Sequence, residues 1–178
     1  MYRNKIRIIS GQWRRRQIEF PDGEGLRPTP DRLRETLFNW LGQELTGLNC
    51  LDLFAGSGAL GFEAASRGAN KVTMIELSRS AYQALQANKQ VLSASSTQII
   101  NNDARQFLNR DAQAYDVIFV DPPFASSLAS EILPLLLDRL TANGLVYLEC
   151  NSLPDLTGWE IHRQGKAGQV IYLLLKKG

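Results

Sequence analysis

Residues 50–68 pass through a short apolar strand, a glycine loop and a helix, and that succession leaves few folds open. The strand is Cys50-Leu51-Asp52-Leu53-Phe54, the loop Gly56-Ser57-Gly58-Ala59-Leu60-Gly61, and the helix over 60–67 stops at Gly68. Strands over 71–76, 98–100, 115–120 and 144–149 then alternate with helices over 79–92, 104–109 and 128–140. Ser78 is placed to cap the helix over 79–92, and Pro134 should kink its helix or shift its start. Alternation of this kind gives a parallel sheet with right-handed crossovers and helices on both faces. The end of the chain breaks the rhythm. Strands over 159–163 and 169–176 are joined by Gly165-Lys166-Ala167-Gly168, too short for a helical crossover, so they must pair antiparallel. The expected fold class is α/β: a Rossmann-like, mostly parallel seven-stranded sheet ending in an antiparallel C-terminal hairpin.

A different pattern precedes it. Lys5-Ile6-Arg7-Ile8-Ile9-Ser10 and Arg16-Gln17-Ile18-Glu19-Phe20 alternate in polarity around a connection containing Gly11, which reads as a β-hairpin closed off by Pro21-Asp22-Gly23. A helix follows, with Thr29 as its cap, Pro30 in its first turn and Leu33, Leu37, Phe38, Trp40 and Leu41 as its apolar stripe. At 178 residues the chain suits one catalytic fold, 29–178, carrying an N-terminal hairpin extension, 1–28.

Charge separates those two parts. Arg3, Lys5, Arg7, Arg14, Arg15 and Arg16 face only Glu19 within residues 1–20, a local charge of +5 in a chain whose total is +2. Such a segment suits a polyanion, although a merely solvated hairpin face would look the same. Hydrophobic residues at 44% and charged residues at 21% fit a globular protein and exclude dominant disorder. No apolar run approaches the ~18–20 residues of a membrane span. Without a secretory leader pattern, and with only Cys50 and Cys150, a cytoplasmic setting is expected.

The glycine loop has an acidic partner, since Glu76 ends the next strand 20 residues after Gly56. A carboxylate there can accept hydrogen bonds from both ribose hydroxyls of a nucleoside cofactor, while the loop lets backbone N–H groups approach it. Asp52, four residues before Gly56, would repel a pyrophosphate and attract a cation. That favours S-adenosyl-L-methionine, with its ammonium and sulfonium, over a dinucleotide. Phe54, Ala55, Gly56, Ser57, Gly58 and Gly61 form the cradle, and Asp103 with Ala104 is placed for the adenine amine. Glu63, on the following helix, is read as facing solvent.

Asp121-Pro122-Pro123-Phe124 ends the fourth strand at the sheet edge where open α/β folds bind ligands. Asp121 and the Pro122 carbonyl can each accept one N–H of a planar exocyclic amine, and Phe124 can stack on its base. Two such acceptors favour a tetrahedral nitrogen with its lone pair aimed at a methyl donor. A carboxylate of ordinary pKa, ~3.9, is too weak to deprotonate a neutral amine beforehand and would instead take the proton once the nitrogen is cationic. The cysteines sit in apolar strands, His162 lies in the late hairpin, and no metal-ligand spacing is present. Nucleophilic and metal-dependent mechanisms therefore fit less well.

These motifs resemble the class I S-adenosylmethionine-dependent methyltransferases that act on amino groups. Residues 7–14, Arg-Ile-Ile-Ser-Gly-Gln-Trp-Arg, and 26–41, from Leu26-Arg27-Pro28-Thr29 to Phe38-Asn39-Trp40-Leu41, are similar to the RsmD family of bacterial 16S ribosomal RNA guanine-N2 methyltransferases. The resemblance extends over nearly the whole chain. It implies N2 of one guanine as acceptor and RNA contacts from Arg14, Arg15, Arg16, Arg27, Arg32 and Arg34, on free 16S RNA or in the 30S subunit; a monomer without metal is expected alongside it. Two departures stand out. The family more often has Gly where this chain has Arg15, and a basic residue where Ala125-Ser126-Ser127 follow Phe124. A DNA adenine-N6 methyltransferase shares the acid-Pro-Pro-aromatic motif but needs a recognition domain not evident here. A non-catalytic RNA-binding module would leave Asp121 unexplained.

Overall fold

The computed structural model describes residues 4–23, 26–123 and 126–178. Strands β1 (Asn4–Arg7) and β2 (Gln17–Phe20) pair antiparallel as a separate hairpin. Its alternate residues Ile6, Ile8, Ile18 and Phe20, together with Trp13, turn inward and join the hydrophobic cluster under the neighbouring helices. Helix α1 (Asp31–Trp40) follows, with Leu33, Leu37 and Phe38 buried and the Trp40 ring stacked on Tyr172 at 5.4 Å. Pro30, not Thr29, occupies its cap position. The Thr29 hydroxyl is used elsewhere.

The remaining chain is β3 (Asn49–Asp52), α2 (Ala59–Ser66), β4 (Lys71–Glu76), α3 (Arg79–Leu92), β5 (Thr97–Asn101), α4 (Ala104–Arg110), β6 (Tyr115–Val120), α5 (Leu128–Leu136), β7 (Leu140–Cys150), β8 (Trp159–Ala167) and β9 (Val170–Lys177). Ser78 caps α3 as its sequence suggests, accepting from the Ala81 N–H. The C-terminal end of α5 differs from expectation. Pro134 lies inside the helix without an N–H to donate, and the helix ends two residues later at Leu136. Leu140 already pairs with Tyr115 as the start of β7.

One sheet has the order β5-β4-β3-β6-β7-β9-β8, with β9 antiparallel to both neighbours. The central strands are covered on both sides, so Cys50, Leu51, Val72, Met74, Ile75 and residues 117–120 are all buried. From β3 the crossovers run outward to β4 and β5, whereas β6 and β7 extend the sheet the other way. The carboxyl ends of β3 and β6 therefore flank the switch point, where a crevice opens.

The hairpin lies along α2 and α3. Its connection meets the C-terminal end of α2, where the Gln12 N–H donates to the Ser66 carbonyl at 2.7 Å and the Trp13 N–H to Ser66 Oγ at 2.9 Å. Gly11 has φ +82°, and a Cβ on it would collide with that same carbonyl. At the other end, Pro21–Gly23 arrive beside the start of α3.

Candidate active site

A cleft of about 460 Å³ opens at the carboxyl ends of β3, β4, β5 and β6, roofed by Pro21, Asp22, Gly23, Leu26 and Arg27. Phe54, Gly56, Glu76, Asp103, Ala104, Asp121 and Pro122 line it, so residues as far apart as Pro21 and Pro122 share one space. Asn102 also lines it, and no sequence motif marked that residue. Phe124 lies outside the described residues.

Glu76 ties the loop to the next helix. One carboxylate oxygen accepts the Gly56 N–H at 2.7 Å and the other the Ser78 N–H at 2.8 Å. The glycines divide by task. Gly56 has φ +54° and room beside it on the cleft side. A Cβ on Gly58 would strike Phe62 and Leu85, and one on Gly61 would strike Met74. These two glycines let α2 pack on β4 and α3, and neither lines the cleft.

Asp52 is buried beneath the loop. Its Oδ2 accepts the Gly61 N–H at 3.1 Å, while Oδ1 has no partner among the described residues. Burial, reinforced by the charge of Glu76 and opposed by N–H bonds from Phe54 and Gly61, pushes its carboxyl up to about 7. With Ala55, Gly56, Ser57, Thr29 and Asp121 it borders a small side pocket. A buried acid with one orphaned oxygen suits a cationic group, which would complete its bonding and favour its ionised form.

Asp103 is less free than its sequence position suggests. Its Oδ1 caps α4, accepting from the Arg105 N–H at 2.9 Å and the Gln106 N–H at 3.2 Å, and the Arg105 guanidinium lies 3.4 Å away. Burial raises this carboxyl, but the Arg105 and backbone bonds outweigh it and hold the group below the usual carboxylate range.

Beyond β6, Asp121 lies next to a second carboxylate that sequence reading missed. Glu149, on β7 and 4% exposed, accepts the Thr29 hydroxyl at 2.9 Å and the Tyr147 hydroxyl at 2.7 Å. Thr29 is also 3.4 Å from Asp121. Burial first, then the negative charge of Glu149, then a carboxyl–carboxyl hydrogen bond with Glu149, then Asp52, push Asp121 well above the ordinary carboxylate range, with the Thr29 bond opposing. The register of β6 and β7, Val120 opposite Leu148, is the signal that could have paired the two acids.

Two charge readings need correction. Arg34 is 1% exposed and cannot meet RNA. It bonds Asp31 at 2.6 Å, Glu63 at 3.2 Å and the Thr29 carbonyl at 3.1 Å. Glu63 does not face solvent either. It is fully buried, accepts the Ile9 and Ser10 N–H groups at 2.9 and 3.0 Å, and pairs with Arg67 at 2.9 Å as well as Arg34. Arg27 and Arg32 are exposed, Arg27 at the cleft mouth. Arg14, Arg15 and Arg16 are exposed at the far end of the hairpin, where Arg16 donates to the Val91 carbonyl near the end of α3. The 14 residues of α3 separate that point from the cleft by about 20 Å. Cys50 is buried and its thiol pushed up to about 12 by burial, and Cys150 is shifted the same way. Among the described residues no group of three or more His, Cys, Asp or Glu could hold a metal, and no helix is long and apolar enough to cross a membrane.

Comparison with known proteins places this architecture. The family model described as Conserved hypothetical protein 95 matches residues 6–176. Ribosomal RNA small subunit methyltransferase D of Escherichia coli K12 is 46% identical over 179 residues, 97% of this chain and 90% of that protein. The protein of the same name from Haemophilus influenzae is 42% identical over 181 residues, 97% of this chain and 94% of its own length. A solved Escherichia coli structure, provisionally assigned as a methyltransferase, superposes with a TM-score of 0.90 at 45% identity and covers 98% of each chain. A seven-stranded sheet with a reversed penultimate strand, a cleft at its switch point and likeness along nearly its whole length together show that the chain belongs to the ribosomal RNA small subunit methyltransferase D (RsmD) family, with the class I methyltransferase fold.

Proposed function

We propose that this chain transfers a methyl group from S-adenosyl-L-methionine to the exocyclic N2 of a guanine in 16S ribosomal RNA, yielding N2-methylguanine. One observation carries the reading: Asp121 and Pro122 share a single cleft with Glu76 and the Gly56 loop in a chain 46% identical to ribosomal RNA small subunit methyltransferase D. The cleft volume suits a nucleoside-sized ligand. In this reading Glu76 accepts ribose hydroxyls, Asp52 meets positive charge, and Asn102, Asp103 and Ala104 border the base; their common lining of the cleft and its side pocket supports it. When bound, the donor supplies an electrophilic methyl group, so no enzyme nucleophile is required.

On the acceptor side, Asp121 and the Pro122 carbonyl hold the two amine hydrogens and orient the nitrogen lone pair. Phe124 is proposed to stack on the base. Arg27 and Arg32 contact RNA near the cleft, and Arg14, Arg15 and Arg16 do so at a distance, making residues 1–28 an RNA-contacting extension. The protein acts as a cytoplasmic monomer on 16S RNA, free or in the 30S subunit, without a metal.

The test is transfer of labelled methyl to 16S RNA or 30S subunits lacking the modification, followed by nucleoside analysis. N2-methylguanine is expected. Label appearing as N6-methyladenine, or only in DNA, would reject the assignment. Asp121→Ala should keep donor affinity and lose turnover by at least ~100-fold.

A further inference from the structure

We infer that Glu149 is a positioning residue: beside Asp121 on the adjacent strand, it takes the shared Thr29 hydroxyl and leaves Asp121 aimed into the cleft to receive the proton shed by the methylated amine. The inference rests on the amine-methylation reading given above. It begins from register, because Val120 lies opposite Leu148 in adjacent parallel strands. Asp121 and Glu149 therefore leave neighbouring strands side by side.

Thr29 has one hydroxyl proton to give. It lies 2.9 Å from Glu149 and 3.4 Å from Asp121, and Tyr147 adds a second donor to the same Glu149 oxygen at 2.7 Å. Both short donors thus go to Glu149, while Asp121 faces the cleft with one long bond. The other ionisable groups around the pair are Asp52 on β3, Tyr147 on β7, Tyr172 opposite Glu149 on β9, and Arg34 of α1 beyond the Thr29 carbonyl. Anionic neighbours raise the proton affinity of Asp121, in agreement with the upward direction noted for it.

In the reaction the N2 lone pair forms a bond to the methyl carbon as the carbon–sulfur bond breaks and its electron pair goes to sulfur. The nitrogen is left cationic. Its proton passes to the Asp121 carboxylate, giving a neutral secondary amine and a protonated acid that returns the proton to water. The cationic, base-conjugated nitrogen is a far stronger acid than aspartate, so the transfer is downhill and needs only an ionised, correctly aimed Asp121. Glu149 touches neither the methyl group nor the amine in this scheme and acts only through Asp121.

The test follows the titration of Asp121 by carboxyl carbon NMR in the full-length protein, assigned with Asp121→Asn, alongside the pH profile of kcat. In the unsubstituted protein, Asp121 and the acid limb of kcat should both lie above the ordinary carboxylate range. Glu149→Gln should move both down by about 1–2 pH units and lower the plateau rate roughly tenfold. Thr29→Val, which removes the bridging donor, should move the titration up and carries the test should Glu149→Gln fail to fold. Lost activity with an unshifted acid limb, or an Asp121 titration indifferent to both substitutions, would overturn the inference. The NMR titration needs no acceptor. A shifted Asp121 without methylated guanine would therefore reject the RNA reading and leave the pair intact.

Discussion

Glu63 and Asp52 are both buried acids, yet their surroundings give them opposite roles. Glu63 is satisfied by two guanidinium groups and two backbone N–H groups, which joins α1, α2 and the hairpin at one point. Glu63→Ala would leave Arg34 and Arg67 buried with their shared partner gone, and it should cost about 3–5 kcal/mol in urea denaturation. Asp52 retains an orphaned oxygen and a carboxyl pushed up to about 7. Below that pH it is neutral and gains little from a cation. Donor affinity measured by calorimetry should therefore rise with pH toward about 7 and level off above it, while Asp52→Asn should bind weakly at every pH. Ionising Asp52 in the folded protein also carries a cost. Stability relative to Asp52→Asn should fall as pH rises from the ordinary aspartate range through about 7, because over that span the folded state holds the extra proton. Such distinctions were not legible in the sequence. A Glu on a helix reads as solvated, and although Arg67 is its i,i+4 neighbour, the other partners of Glu63 come from residues 9, 10 and 34, which only the tertiary fold gathers.

At the level of elements, local rules worked wherever local chemistry decided the outcome. Ser78, the Gly68 stop and the alternation in β1 and β2 are short-range signals: α3 has the expected bounds, α2 and β2 lie within one residue of theirs, but β1 ends at Arg7, three residues before the alternation stops at Ser10. They failed at α5, where Pro134 and the pairing of Leu140 with Tyr115 end the helix before its apolar run does. Thr29 was misassigned for a related reason, since a threonine before a helix normally caps it, but here two acids compete for its hydroxyl. The hairpin allows a sharper test. Arg15 has φ +69°, a conformation that costs an L-residue with a Cβ about 1 kcal/mol and glycine little. Arg15→Gly should raise thermal stability by roughly that amount while weakening RNA binding, so stability and affinity should move in opposite directions. Gly11→Ala should instead detach the connection from Ser66, detectable as faster amide exchange at Gln12 and Trp13.

For the molecule as a whole, the near-neutral charge conceals a spatial separation. The acids gather at the switch point of the sheet, and Arg14, Arg15 and Arg16 lie about a helix length away. Neutralising Arg14 and Arg15 should lower the salt slope of binding to 16S RNA by about 1–2. Binding of an oligonucleotide of only a few nucleotides carrying the target guanine should be nearly unaffected, because it cannot span that distance.

The hairpin connects these two regions. The strand leading away from the basic connection continues into Pro21–Gly23, which wall the cleft beside Ser78 and Ala81, so in the proposed function one stretch of backbone belongs to both binding events. Equilibrium thermodynamics then imposes a symmetry on them. Whatever factor an occupied cleft contributes to the grip on RNA, bound RNA must contribute the same factor to retention of the small molecule. A single cycle of four dissociation constants would reveal its size.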